Sequence, residues 1–249
     1  YFDGTVMWVA SSTGLFRFDP VAGTFTHHYT EKDGLANNSV VGVLGDAQGH
    51  VWLSTVAGLS RFDPKSETFR NYDVFDGLQS NVFSIVSRVK APDGQLFFGG
   101  VNGFNGFYPD ELVDNPTPPP VVLTDFELFN QPVQIGAEDS PLKQAINVTP
   151  NNITLRYDQS VFRFQFAALN YTNPQKNQYA YKLEGFDQDW QYTDSNRRFA
   201  TYTNLNPGSY VFRVKASNND GVWNEEGTAV TITITPPWWE TGWFRSMAG

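Results

Sequence analysis

An aromatic phrase recurs in this chain at an almost constant step. In each copy an aromatic, strand-like run is followed by a glycine turn and a second run that ends in proline. Trp52 follows Trp8 by 44 residues, and Phe97 follows Trp52 by 45. A period of about 40–50 residues, built from short strands and Gly/Asp turns, is typical of β-propeller blades.

Each copy divides into short strand-like runs separated by Asp, Gly and Pro, which supply turn geometry. We expect Trp8, Trp52 and Phe97 to fill equivalent positions between blades. The chain holds two to three copies, whereas a closed propeller needs at least about four blades. The sequence therefore predicts the C-terminal blades of a partial β-propeller over residues 1–112. Because the chain starts at Tyr1 without an initiator Met, we expect an upstream segment to have been removed.

Composition narrows the class of protein. Aromatic residues make up 16% of the chain and charged residues 17%, which favours strands over helices. The net charge of −9 disfavours nucleic acid as a partner, because that partner needs clustered Lys and Arg. With three His and no Cys, the sequence predicts no metal site, no thiol catalysis and no cofactor.

The second half of the chain has a different pattern. Residues 113–120 form a proline-rich linker that prevents helix and favours an extended chain. Beyond it, apolar and polar residues alternate at period two in about seven runs, which predicts an immunoglobulin-like or fibronectin III-like β-sandwich over residues 121–236. The run Leu205–Tyr210 resembles a tyrosine corner, in which the Tyr hydroxyl bonds back to the nearby backbone. Residues 187–189 are expected to form a turn rather than a calcium loop, because spaced oxygen ligands do not follow.

Both halves resemble one known family. The blade pattern is similar to two-component regulator propeller repeats, and the tyrosine-rich phrases within 169–205 resemble the three-tyrosine Y_Y_Y domain that follows them. That order is typical of the periplasmic sensor region of hybrid two-component histidine kinases, and the resemblance covers nearly the whole chain. It implies an all-β fold, a homodimer formed through the sandwich, and a periplasmic location anchored in the bacterial inner membrane.

Ligand-binding residues are only weakly indicated. Propeller ligands usually bind at the axial mouth or on loops between blades. The candidates on those loops are Asn37, Asn38, Ser39, Gln79, Ser80 and Asn81. A second resemblance is that of Asp46, Gly49 and Trp52 to the Asp-box turns of sialidase propellers. In this chain, however, Leu44 stands where those turns carry Ser. No catalytic residue is predicted.

The end of the chain, residues 237–249, is rich in Trp. Trp concentrates at membrane–water interfaces, so a juxtamembrane tail is predicted, with packing against the sandwich as the alternative. The residues expected to mark it are Trp238, Trp239, Trp243 and Phe244. In the resembled family this phrase precedes a single membrane helix, which we expect to be missing from this chain.

Three functions are compatible with these patterns. The leading hypothesis is a non-catalytic, ligand-sensing and signal-transmitting fragment of a hybrid two-component sensor histidine kinase, responding to a carbohydrate. A secreted carbohydrate-active propeller enzyme with an accessory sandwich is the alternative, and it predicts paired carboxylates in a cleft. An adhesion module is the third, and the Trp-rich end favours the sensor over both.

Overall fold

The computed structural model describes residues 1–137, 140–148 and 152–240, which form two compact units, Tyr1–Asp114 and Asn115–Gly249. Regular structure in these residues consists of strands and short 3₁₀ turns. The predicted fold class, a partial β-propeller followed by a β-sandwich, is confirmed.

The first unit contains three antiparallel sheets, one for each copy of the repeat. Blade 1 consists of β1 (Met7–Ser11), β2 (Gly14–Asp19) and β3 (Thr24–Tyr29). Blade 2 consists of β4 (Val40–Gly45), β5 (Val51–Thr55), β6 (Gly58–Asp63) and β7 (Thr68–Tyr72). Blade 3 consists of β8 (Phe83–Lys90), β9 (Leu96–Gly100) and β10 (Gly103–Phe107). The 3₁₀ turns Glu31–Asp33 and Val74–Asp76 lie before β4 and β8, and Pro109–Glu111 follows β10.

Aromatic rings fill the spaces between blades. Trp8 of blade 1 packs edge-on against Phe62 of blade 2, with ring centroids 5.5 Å apart. Trp52 of blade 2 packs against Phe107 of blade 3 in a tilted arrangement, with ring centroids 4.8 Å apart. Both Trp side chains are almost fully buried, and each buried aromatic side chain contributes about 1.5–3 kcal/mol.

The third aromatic position differs. Phe97 occupies the place in β9 that Trp52 occupies in β5, but it is only half-buried, and its ring lies beside Phe104 of its own blade. The expectation of equivalent packing is therefore right for Trp8 and Trp52 and wrong for Phe97. The reason is that no further blade covers this face of blade 3 in the described structure.

The second unit is a two-layer sandwich. One sheet has the order β12-β11-β14-β17, from β11 (Val121–Leu128), β12 (Gln131–Pro132), β14 (Val161–Ala168) and β17 (Phe199–Thr203). The other has the order β13-β19-β18-β15-β16, from β13 (Asn152–Arg156), β15 (Gln178–Glu184), β16 (Gln191–Asp194), β18 (Gly208–Ser217) and β19 (Trp223–Thr235). The remaining 3₁₀ turns are Pro174–Lys176 and Trp238–Glu240.

The alternation seen in the sequence selects the inner face of each strand. Phe162, Phe164 and Phe166 of β14 are all buried between the sheets, while their neighbours in sequence are half-buried. Phe164 stacks on Phe212 of the opposite sheet at 4.4 Å. Side chains of a strand point alternately to its two faces, so the period-two pattern defines this core.

Candidate functional site

A buried carboxylate orders the turn that leads into the central strand of blade 2. One oxygen of Asp46 accepts the backbone N–H groups of Gln48 and His50, at 2.9 and 2.8 Å. The other accepts the indole N–H of Trp52 at 2.9 Å and contacts the ring of His50 at 3.0 Å. All of its described contacts serve the turn, so this carboxylate holds the blade together rather than facing a substrate.

Blade 1 uses the same device. Asp3 accepts the indole N–H of Trp8 at 2.9 Å and the backbone N–H groups of Thr5 and Val6. Burial alone would raise the pKa of Asp3, but the hydrogen bonds from Val6, Thr5 and Trp8 outweigh it and lower the pKa. The similarity to Asp-box turns therefore has a structural explanation: in both blades the Asp carboxylate holds the side chain of a Trp in place.

The first group of predicted ligand residues lies in the turn between blades 1 and 2. The carboxylate of Glu31 accepts both the side-chain amide of Asn37 and the backbone N–H of Asn38. In return, the side-chain oxygen of Asn38 accepts the backbone N–H of Glu31 at 2.8 Å. The N–H of Ser39 donates to the side-chain oxygen of Asn37 at 2.9 Å. Asn37 and Asn38 thus close the turn through their own side chains.

The second group lies in the equivalent turn between blades 2 and 3. The side-chain oxygen of Asn81 accepts the N–H of Val74 at 2.9 Å, as Asn38 does for Glu31. Ser80 accepts the N–H of Val82 through its hydroxyl, as Asn37 does for Ser39. The two groups are therefore structurally equivalent, and the contacts described above stay within each turn.

Gln79 differs from the other candidates. Its side-chain oxygen accepts the backbone N–H of Asn102 at 2.8 Å, and its own backbone N–H donates to Asn105. Its side-chain amide nitrogen is buried and has no hydrogen-bond partner among the described residues. All six candidates are half-buried. Their role in binding a ligand stays a prediction.

Each turn begins with a capping box that sequence reasoning did not find. Thr30 and Asp33 cap the first turn reciprocally, and Asp73 and Asp76 cap the second. Hydrogen bonds from the backbone and hydroxyl of Thr30 hold the pKa of Asp33 below its usual range. The spacing of three residues between polar caps is a signal that could have identified these turns from sequence.

A cavity of about 200 Å³ lies between blade 2 and the segment that follows β10. Its lining includes Trp52, Tyr72, Asn105, Phe107 and Leu112. The equivalent tyrosine of blade 1 donates its hydroxyl to Glu67 in the outer turn of the next blade. Blade 3 has no fourth strand and no such turn in the described structure, so the cavity is left where they would lie.

The tyrosine in this cavity is held in an unusual setting. The hydroxyl of Tyr72 is buried without a hydrogen-bond partner among the described residues, and the Arg70 guanidinium lies 5.0 Å from its ring centre. Burial raises the pKa of Tyr72, and the charges of Arg70 and Arg61 only partly offset this. Asp114 pairs with both arginines, at 2.6 Å from Arg61 and 3.0 Å from Arg70.

Tyrosine hydroxyls fix the connections of the sandwich. Tyr202 donates to the carboxylate of Asp187 at 2.8 Å, and the same carboxylate accepts the N–H of Leu183. Burial, followed by the bond to Asp187, raises the pKa of Tyr202. The Asp187 segment is therefore a turn, as expected. Tyr210 donates to the carbonyl of Asn206 at 3.0 Å, which confirms the predicted tyrosine corner.

Asparagine side chains attach the proline-rich segment to the sandwich. The amide of Asn218 donates to the carbonyls of Asn115 and Thr117, and that of Asn224 donates to the carbonyl of Pro119. The side-chain oxygen of Asn218 also accepts two backbone N–H groups of its own turn. Residues 115–119 are therefore part of the second unit rather than a free spacer.

An aromatic cluster covers part of the outer face of the five-stranded sheet. The ammonium group of Lys215 lies 4.9 Å from the ring centre of Trp190 and 5.4 Å from that of Trp223. Tyr192 packs edge-on against Trp223 and is 69% exposed, and Lys215 also pairs with Glu225 at 2.7 Å. We call Trp190, Tyr192, Lys215 and Trp223 the outer aromatic cluster.

Two of the four tail residues can be placed. Trp239 packs edge-on against Tyr157 at 5.2 Å, and Trp238 packs edge-on against Trp239. Both Trp side chains remain exposed. Trp243 and Phe244 lie outside the described residues.

In residues 1–137, 140–148 and 152–240 no group of His, Cys, Asp or Glu side chains is arranged to hold a metal ion. No helix in the same ranges has the length and apolar character needed to cross a membrane.

In the chain, blades in which an Asp supports a Trp precede a sandwich whose turns are held by tyrosine hydroxyls, which is the order that the resemblance to two-component sensor regions implies. Residues 170–235 match the Y_Y_Y domain. The chain is 36% identical over 220 residues to histidine kinase P4 of Formosa agariphila. The aligned region is 88% of this chain and 16% of that protein. It also matches the crystal structure of the extracellular domain of the hybrid two component system BT3049 from B. thetaiotaomicron. That match has a TM-score of 0.79 and 29% identity, over 93% of this chain and 31% of the other.

The resemblance to the extracellular sensor regions of hybrid two-component systems is thereby confirmed. The matched structure is an extracellular domain rather than a kinase domain, so a non-catalytic role for this chain agrees with it. The chain spans less than a third of the length of either relative.

Proposed function

We propose that this chain is the ligand-sensing and signal-transmitting part of a hybrid two-component sensor histidine kinase, located in the periplasm and anchored in the inner membrane. The match to the BT3049 extracellular domain carries this proposal, because it extends through both units in the same order and covers 93% of the chain. The phosphorylated histidine and the kinase chemistry belong to the parent protein.

The proposed ligand is a carbohydrate fragment that binds on the propeller side. The turns between blades support this, since they combine polar side chains with a rigid, capped backbone. A ligand can shift the sensor only by binding two arrangements of the protein with different affinity. Asn37 and Gln79 are the positions to test, because they lie in equivalent turns and their side chains are half-buried.

The sensor is proposed to work as a homodimer formed through the sandwich. The outer aromatic cluster supports this, because Trp and Tyr are enriched at the centres of protein interfaces. Its lysine already sits between two Trp rings, so the cluster is ordered before any partner binds. An ordered surface loses less side-chain entropy on association.

Ligand binding can be tested with the purified chain and a panel of oligosaccharides, followed by thermal unfolding. We expect one class of oligosaccharide to raise the melting temperature and to be recovered uncleaved. Asn37→Ala and Gln79→Ala should each reduce that shift while keeping the unliganded melting temperature within a few degrees. Cleavage of a glycan would instead support the enzyme alternative.

Dimer formation can be tested by sedimentation equilibrium. Tyr192→Asp should shift the chain towards monomer, whereas Tyr171→Asp, at another exposed tyrosine of the same unit, should not. The sequence of the parent gene gives an independent test of whether the whole protein is a sensor histidine kinase. A product without a membrane helix and a kinase domain would contradict the proposed function.

A further inference from the structure

The outer face of the four-stranded sheet in the sandwich carries an ordered network of charged and amide side chains. Glu127 is the centre of this network and is only 8% exposed. One of its carboxylate oxygens accepts the side-chain amide of Gln165 at 2.7 Å, and the other lies 3.4 Å from the guanidinium of Arg163. Arg163 also donates to the side chains of Thr201 and Asn130. The one buried carboxylate of this network is therefore already engaged within the sheet.

A pocket of about 310 Å³ lies beside this network, and we call it the β17 pocket. Its lining includes Phe199 of β17, whose ring centre lies 4.7 Å from the Arg163 guanidinium and 5.7 Å from that of Arg197. β11 borders the pocket at a bulge, which leaves Thr124 as an extra, exposed residue. Bulges redirect side chains and are frequent next to active sites. The pocket has the volume of a small-molecule site and an ordered wall.

The unpaired charge at the β17 pocket is positive. Arg198 lines the pocket, and its backbone carbonyl accepts the N–H of Phe166 at 3.0 Å, which fixes the backbone just before β17. Arg197 and Arg198 are both exposed, and neither pairs with a carboxylate in the part of the chain that the structure describes. Asp125, which lies opposite Gln165 in the sheet, accepts the N–H of Phe126. Arginine binds carboxylates through two parallel hydrogen bonds, so this pair of side chains favours an anionic ligand.

The uncharged side chains of the pocket suit hydroxyl groups. Gln165 uses one amide hydrogen on Glu127, so its carbonyl oxygen and its second N–H have no partner among the described residues. Asn196 and Thr124 also line the pocket, and each side chain can both donate and accept a hydrogen bond. A sugar hydroxyl likewise donates one hydrogen bond and accepts others, so it needs both functions at its site.

We propose that the β17 pocket binds a sugar acid, whose carboxylate is held by Arg197 and Arg198. Gln165, Asn196 and Thr124 bind its hydroxyl groups. The site goes beyond the proposed propeller site, because it lies in the other unit and selects a negative charge as well as hydroxyls. It holds whether or not the parent protein is a sensor kinase.

Two matched pairs of probes test the ligand class. Glucuronate with glucose, and galacturonate with galactose, differ only at C6, where a carboxylate replaces a hydroxymethyl group. Each is titrated into the whole chain, and binding is followed by saturation-transfer difference NMR. At least one acid should bind at least about tenfold more tightly than its neutral partner, and more weakly as salt rises. Inorganic sulfate, an anion without a sugar ring, should compete with that acid only at much higher concentration.

Arg198→Gln tests the location of the site. Arg198 is exposed, so we expect the variant to fold, and circular dichroism and thermal melting will check this. It should weaken binding of the acid at least about tenfold and leave the weak binding of the neutral sugar unchanged. Arg213→Gln is the matched control, because it removes the same charge from the other sheet, where Arg213 pairs with Glu184. Asn37→Ala, which is directed at the propeller turn, should also leave binding of the acid unchanged, so the two proposed sites can fail separately.

Four outcomes would overturn the proposal. The first is an equal affinity for each acid and its neutral partner, and the second is sulfate that competes as well as the sugar acid. The third is a folded Arg198→Gln variant that binds the acid as wild type does. The fourth is an equal loss of affinity in Arg213→Gln or Asn37→Ala, which would show a general effect of charge or a site in the propeller.

Discussion

The pairing of Asp46 with Trp52 gives the sharpest prediction about stability. The carboxylate of Asp46 is almost fully buried and accepts three N–H groups, from Gln48, His50 and the indole of Trp52. We consider Asp46→Ala, Trp52→Phe and the double substitution. The third repeat of the chain already carries the equivalent of the double substitution.

The expected magnitudes follow from which donors lose their acceptor. Asp46→Ala leaves the buried indole N–H and two partly exposed backbone N–H groups without the carboxylate, at a cost of about 2–4 kcal/mol in total. Trp52→Phe loses ring volume and leaves the carboxylate with one donor fewer. In the double variant no indole N–H is left to satisfy. The double variant should therefore be more stable than the sum of the single effects by about 1–3 kcal/mol.

Hydrogen exchange of peptides that span Val51–Thr55 is the suitable assay. It measures the opening of β5 itself and does not require the two units to unfold together. Asp63→Ala serves as the control, because the carboxylate of Asp63 caps an exposed turn through Lys65 and Ser66. Its effect on β5 should be below about 1 kcal/mol. Additive effects of Asp46→Ala and Trp52→Phe would refute the reasoning.

Three further substitutions follow from the geometry. Gly58→Ala should destabilise the chain more than Gly103→Ala: both glycines have positive φ, but only at Gly58 would the new Cβ lie 2.3 Å from the carbonyl oxygen of Tyr72. Denaturant unfolding of the two variants measures the difference, and equal losses would contradict the argument. Burial raises the pKa of Tyr29 to about 12, above the unfolded value of about 10, so its stabilising contribution is complete below pH ~10 and is lost as pH rises through ~12. The difference in Tm between wild type and Tyr29→Phe should therefore become smaller as the pH rises through that range, and a difference that becomes larger would contradict this argument. Asn218→Ala should cost about 2–4 kcal/mol and speed proteolysis within residues 115–120, because four hydrogen bonds are lost; unchanged cleavage would show that this segment is held by other contacts.

The architecture was predictable because its signals are local. The glycine turns and the period-two alternation of β14 depend on residues close in sequence, and the step from Trp8 to Trp52 is found by comparing the sequence with itself. The tyrosine corner is also local, since Tyr210 reaches back only four residues to Asn206. Patterns of this kind select strands, faces and turns without knowledge of the tertiary structure.

The roles of the loop polar residues were harder to predict. Asn38 and Asn81 occur between strands, where polar side chains suggest a ligand site, and yet each accepts a backbone N–H seven residues earlier. That partner is recognisable only once the 3₁₀ turn is known. Asp114 shows the same limit at longer range, because Arg61 and Arg70 are brought to it by the pairing of β6 and β7.

The third repeat shows why residues should be compared as interacting sets. Ala91 stands at the position of Asp46, and its N–H makes the same backbone bond across the turn, to Gln95. Without a carboxylate at this position, an indole N–H would have no acceptor. The partner position carries Phe97, however, which has no N–H to donate. Asn105 likewise makes both contacts to the preceding turn that Ser60 and Asn71 share in blade 2. In these two places a departure from the repeat is accompanied by a second change, so the turn and the contacts to the preceding turn keep their backbone hydrogen bonds.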